Sequence, residues 1–168
     1  MHCIINAIAF KTHKLTQMIT IKTKEEIEVL KEGGKILADV LKELAMLAKP
    51  GVSTGFLDQK AREMILNNGG EPAFLNYHPA FSDKPYPFTL CASINNVVVH
   101  GLPSEKVFLK DGDILSLDLG VKYKNLFTDS AVTIGIGTIT SDKIKLIEIT
   151  KSSLDLAIEK VKPGNYIG

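Results

Sequence analysis

The stretch SLDLGVKYKNLFTDS, Ser116–Ser130, sets two aspartates into what otherwise reads as a hairpin of buried strands. Carboxylates are disfavoured inside sheets, so something must make both tolerable. A tight antiparallel turn centred on Tyr123-Lys124 places Asp118 directly opposite Asp129, with Cβ atoms about 4.5–5.5 Å apart. Like charges so opposed destabilise each other and raise one pKa unless a cation lies between them. Lys122 and Lys124 fall at the solvent end of this hairpin and serve poorly as that cation. A divalent metal answers best. The plainer reading is that Thr128-Asp129-Ser130 is a polar cluster ending a strand, and spacing alone leaves both readings open. Asp111 and Asp113 read as turn residues in LKDGD, 109–113.

Around this hairpin the chain has 168 residues, 45% of them hydrophobic, enough for one core and too short for two ordinary domains. Twenty basic residues against 19 acidic ones give a net charge of +1 and no electrostatic case for nucleic acid or an anionic membrane. Cys3 and Cys91 lie far apart with no zinc-like spacing and read as reduced thiols of a cytoplasmic protein. No apolar run approaches the ~18 residues of a membrane span. Residues 1–17 carry their basic residues after the apolar stretch, unlike a secretory signal. They read as a poorly ordered extension or a misassigned start, with a domain from Met18 to Gly168.

Thr23 and Glu26 form a capping box that predicts a helix with an apolar stripe through Ile27, Leu30, Ile36, Leu37, Val40, Leu41, Leu44 and Leu47. Gly33-Gly34 in its middle predicts close approach of another backbone, and Lys49-Pro50-Gly51 predicts its stop. A second helix is predicted from an N-cap at Thr54 to the terminator at Asn67–Gly70. Residues 71–87 hold four prolines and four aromatics without a period and read as an ordered loop. Strands are predicted at Thr89–Ile94, Val97–His100, Asp113–Val121 and Leu126–Ile136, and a third helix at Ser141–Val161. The two long helices end alike. Lys49, Pro50, Gly51 and Gly55 align at one constant offset with Lys162, Pro163, Gly164 and Gly168. This echo predicts two related αβ units, the second cut short, with apolar surface left uncovered.

His100 closes the run NNVVVH before Gly101 and Pro103 turn the chain. It is either a satisfied core histidine or an imidazole projected from a strand end into a cleft. His78 offers the same choice with less support, and His2 and His13 receive no role. Taken in order, IKTKEEIEVLKEGGKILADVL, KPGVSTGFLD, CASINNVVVHGLPS, LKDGDILSLDLGVKY and FTDSAVT closely resemble type I methionine aminopeptidase over Met18–Gly168. The resemblance implies an α+β pita-bread fold, here its first αβ half plus the first helix of the second. It implies that Asp118 and Asp129 are ligands of a dinuclear metal centre, with Asp129 bridging. His100 then contacts substrate near the scissile bond, and Tyr77, with Cys91, lies near the pocket for the methionine side chain. Residues Phe81–Leu90 depart from the commonest family pattern by an insertion.

The activity implied is metal-assisted removal of methionine from the N-terminus of a nascent protein, with two divalent ions drawn from Mn, Fe, Co or Zn. The resemblance further implies a monomer when complete, working in the cytoplasm with possible ribosome association. It places the other ligands, a histidine and two glutamates, beyond Gly168, so the 168-residue chain is expected to be inactive by itself. Two competing readings are an Xaa-Pro-type pita-bread peptidase and a non-catalytic pita-bread binding protein.

Overall fold

The computed structural model describes residues 20–78 and 83–166. Residues 1–17, with Cys3, His2 and His13, lie outside the described residues. The elements run α1 Lys24–Leu47, α2 Thr54–Asn67, β1 Glu71–Pro72, β2 Leu90–Ile94, β3 Ile114–Tyr123, β4 Leu126–Gly135 and α3 Ser141–Glu159. Among the described residues no helix is long and apolar enough to cross a membrane.

The capping box forms as expected. The Glu26 amide donates to Thr23 Oγ1 at 3.2 Å, and the Thr23 amide donates to the Glu26 carboxylate at 2.8 Å, which satisfies two orphan donors of α1. Gly33, Leu37, Val40, Leu41 and Leu44 form its buried face, whereas Ile27 stays exposed ahead of the sheet. Of the two mid-helix glycines, only Gly33 admits a neighbour: a Cβ there would lie 3.3 Å from Tyr123 Cβ, and none comes near Gly34. Gly51 then turns left-handed at φ +88° and ends the run. The cap of α2 is Ser53, one residue before the predicted Thr54. Ser53 Oγ accepts from the Phe56 amide at 3.1 Å, while Thr54 is drawn off to bond Ser104 through both its amide and its carbonyl.

The four strands make one antiparallel sheet. β3 is flanked by β1 and β2 along one side and β4 along the other. β1 lies inside the segment read as loop; its Pro72 is tolerated because the pair is short and at the sheet margin. Along β3 the side chains of Leu115, Leu117, Leu119 and Val121 are fully buried with those of α1 and α2, including Leu44, Leu57 and Ile65. Ser116, Asp118 and Gly120 therefore face the other way. Leu90 and Ala92 of β2 join the core, so Cys91 and Ser93 share the Asp118 face.

Two expectations need correction. The hairpin turns on Lys124-Asn125, not Tyr123-Lys124, with Tyr123 paired to Leu126. Both central residues are left-handed, at φ +45° and +67°, as a two-residue turn requires. Asparagine tolerates that region better than tyrosine, and Tyr123 is freed to pack at Gly33. The partner of Asp118 is accordingly Ala131, and that of Asp129 is Gly120. The aspartates stay on one face but sit diagonally. The second correction concerns Val97–His100, which is an exposed loop and not a strand; Val98 is 85% exposed. The segment leaves β2 through a turn, Val97 amide to Ile94 carbonyl at 3.0 Å, and just past it the Ala92 amide bonds the Gly101 carbonyl at 2.8 Å. The Gly101 amide is then taken by Ser93 Oγ at 3.0 Å, so no ladder propagates.

No residue of α3 is buried, and Leu146, Leu154, Leu156 and Ile158 are more than half exposed. After it Gly164 repeats the left-handed stop of Gly51, at φ +90°. β4 pairs with β3 alone among the described residues, leaving its outer edge open.

Asp58 of α2 ties the helix layer to the sheet by accepting the amides of Thr89 at 2.8 Å and Leu90 at 2.9 Å. Burial pushes its carboxyl above the ordinary value of 3.8, which the two amides only partly offset. The folded chain thus binds this proton more tightly than the unfolded one. Its stabilising contribution is full below 3.8 and is lost as pH rises through the raised value. Asp58→Asn keeps an acceptor without the charge. Thermal melts should show its midpoint gaining on the wild type as pH rises from about 3.5 to about 7.

Candidate metal and substrate site

The sheet face turned away from α1 and α2 carries a cleft of about 820 Å³. Its polar lining is Asp118 of β3, Asp129 of β4, His100 and Lys84. Its apolar wall includes Phe74, Tyr77, Tyr86, Cys91, Leu102 and Phe127. All five residues singled out from sequence, Tyr77, Cys91, His100, Asp118 and Asp129, thus border one cavity. His78 is exposed and is not among the residues that line it.

The strand register supplies this convergence. Cys91 lies opposite Asp118 across β2 and β3, so thiol and carboxyl rise from the same face. Asp129 lies opposite Gly120, where an added Cβ would fall 2.9 Å from the Phe74 ring and 3.0 Å from Ala73 Cβ. Glycine there lets the 73–74 segment close down beside the carboxylates, and the Ala73 amide bonds the Gly120 carbonyl at 3.0 Å. His100 reaches the cleft from a loop, not a strand end, with its own backbone left-handed at φ +58°. Its successor Gly101 is locked against β2, where any Cβ would collide with the Ala92 carbonyl.

Electrostatics single out the two aspartates. Burial pushes the Asp118 carboxyl up, the charge of Asp129 pushes it further, and His100 draws it back. Asp129 still acts directly on the Asp118 carboxyl, so the diagonal offset has not parted them. Lys84 lines the cleft together with the pair, whereas two other lysines are engaged elsewhere. Lys122 is drawn to Glu71 at 3.2 Å and Lys124 to Glu32 at 2.8 Å. The wall beside them is kept neutral. Burial raises the Cys91 thiol, with Asp118 and Asp129 adding to the shift against a lowering bond from Tyr86. Burial likewise pushes the Tyr86 phenol well above its ordinary range. Among the described residues no group of three or more His, Cys, Asp and Glu could hold a metal ion.

Sequence reasoning missed Phe74, Tyr86, Leu102 and Phe127 as wall residues, and Gly120 as the residue that admits them. The signal at Gly120 was available, since a glycine inside a strand marks close approach. Tyr86 lay in the segment that departs from the commonest family pattern.

Comparison with known proteins bears on this site. The profile of Metallopeptidase family M24 matches residues 28–168. The methionine aminopeptidase of Aquifex aeolicus is 44% identical over 150 residues, covering 89% of this chain and 58% of the relative. Methionine aminopeptidase 1 of Bacillus subtilis is 40% identical over 150 residues, covering 89% and 58%. The crystal structure of methionine aminopeptidase from Thermotoga maritima superposes with a TM-score of 0.82 at 36% identity, covering 88% of this chain and 57% of that one. The chain therefore spans under two thirds of the length of these relatives.

The locked contact at Gly101 yields an expected outcome. Gly101→Ala should lower unfolding free energy by about 1–3 kcal/mol, because β2 and the His100 loop must part to admit a methyl group. Urea unfolding followed by circular dichroism would measure it, with Gly34→Ala, where no neighbour lies within 4 Å, as the tolerated control.

Proposed function

Because the chain belongs to metallopeptidase family M24, we propose that it forms the N-terminal part of a methionine aminopeptidase, built on the first half of the pita-bread fold. The observation that carries this reading is the shared cleft. Two mutually repelling carboxylates, an imidazole and the Lys84 side chain line it together with aromatic rings and a thiol. The curated relatives reported above both bear the name methionine aminopeptidase, which ranks this reading above an Xaa-Pro peptidase or a non-catalytic binder.

The donor set fits a divalent cation in part. Asp118 and Asp129 offer hard oxygen ligands and gain from any positive charge placed between them. Two such ions, drawn from Mn, Fe, Co or Zn, would supply Lewis-acid chemistry for peptide hydrolysis. His100 lines the same cleft and is placed to donate a hydrogen bond to the peptide near the scissile bond. Tyr77, Tyr86 and Cys91 line the part of the cleft suited to a thioether side chain, which is soft and polarizable. The substrate class is a peptide or nascent chain beginning with methionine. On the same reading the complete enzyme is a cytoplasmic monomer working within reach of the ribosome. Two carboxylates fall short of the three protein ligands that catalytic sites of this kind use. The others come from the part of the relatives that this match does not span.

Two outcomes follow. The isolated chain should bind Mn(II) weakly and saturably in an electron paramagnetic resonance titration, and release no methionine from a Met-Ala peptide. The Asp118→Asn, Asp129→Asn double variant should lose that binding. Fused to the remaining segment of the Aquifex aeolicus relative, the chain should release methionine in Mn or Co buffer, and Asp129→Asn in the fusion should abolish release. A folded, metal-loaded fusion that leaves Met-Ala peptides intact would overturn the assignment.

A further inference from the structure

Asp58 lies outside the cleft, on α2, yet three bonds at the start of β2 converge on what it holds. Its Oδ1 accepts the Thr89 amide at 2.8 Å and the Leu90 amide at 2.9 Å. Tyr86 Oη donates to the Leu90 carbonyl at 2.9 Å, so both polar groups of Leu90 are taken by side chains on either side of it. The Thr89 hydroxyl, though buried, has no hydrogen-bond partner and adds nothing to the anchorage. One residue further on, Cys91 turns its side chain into the cleft; a few residues back, Tyr86 does the same. Tyr86 is braced in turn by an edge-on contact with Phe88, ring centres 5.9 Å apart.

We infer that Asp58 is a positioning residue for the side-chain pocket: its carboxylate latches the entry of β2 to α2 and thereby fixes the wall that Tyr86 and Cys91 present. A half-buried carboxyl that accepts two adjacent main-chain amides is hard to replace, because an apolar substitute strands both donors. With the latch open, β2 frays from its first residue and the pocket loses its depth. The role as a substrate wall rests on the peptidase reading; the latch itself does not.

Thiol alkylation separates the two. In a Cys3→Ser background Cys91 is the single thiol, 4% exposed in the native chain. Its reaction with iodoacetamide is followed across a urea series below the unfolding transition. Asp58→Ala should raise the alkylation rate about ten- to a hundredfold, with little dependence on urea, the mark of a local opening. Asp58→Asn, which keeps an acceptor, should return the rate to within about twofold of the wild type. If Asp58→Ala does not fold, Asp58→Ser decides: its shorter side chain leaves the Thr89 and Leu90 amides short of an acceptor and should accelerate alkylation by the same urea-insensitive route. An Asp58→Ala rate equal to the wild type would overturn the latch. So would an acceleration carrying the full urea slope of global unfolding, or an Asp58→Asn variant as reactive as Asp58→Ala. None of these readings depends on methionine release, so the latch can fail while the peptidase assignment stands, and the reverse.

Discussion

The alternation of side chains along β3 governs everything else in this molecule. A single ten-residue strand must bury Leu115, Leu117, Leu119 and Val121 under two helices while holding Asp118 on its opposite side. The two-residue turn at Lys124-Asn125 transmits that division to β4, since it pairs Tyr123 with Leu126 and so keeps Asp129 on the Asp118 side. A slip of one residue would drive Asp129 toward the leucines and bring Thr128 out. The hydrophobic core and the acidic cluster are therefore one constraint seen from two sides. Burying the leucines is what fixes where the carboxylates point.

The acidic pair carries an energetic burden that His100 relieves in part. Lys122 and Lys124 are committed to Glu71 and Glu32, and the adjacent thiol and phenol stay neutral. Protein sites that hold like charges together in this way serve cations or protons. The neutral wall matters as much as the charged groups. A thiolate beside two carboxylates would add a third negative charge, and burial prevents it.

Much of this was legible in the sequence, and for identifiable reasons. The helix starting after Thr23 was readable because its cap uses only neighbouring residues. The pairing of Asp118 with Asp129 on one face was readable from the hairpin, although the turn was placed one residue early, because two adjacent candidates compete and tertiary packing of Tyr123 against Gly33 decides between them. The valines before His100 carried a strong strand signal that the fold overrides, since Ser93 takes the amide a second ladder bond would need. Phe74 and Tyr86 were invisible to any local rule: they reach the site from a proline-rich segment without a period, which Gly120 admits at one end and the Asp58 carboxylate anchors at the other.

The open margin of β4 has a consequence for how this polypeptide behaves in concentrated solution. Its sequence, LFTDSAVTIG, contains no proline or lysine, the usual guards of a bare strand, and Asp129 is its lone charge. That side chain is consequently a gatekeeper against fibre growth as well as a candidate ligand. Anything that neutralises it, whether a captured cation or a proton, removes a repulsion that opposes stacking of neighbouring chains onto the same margin.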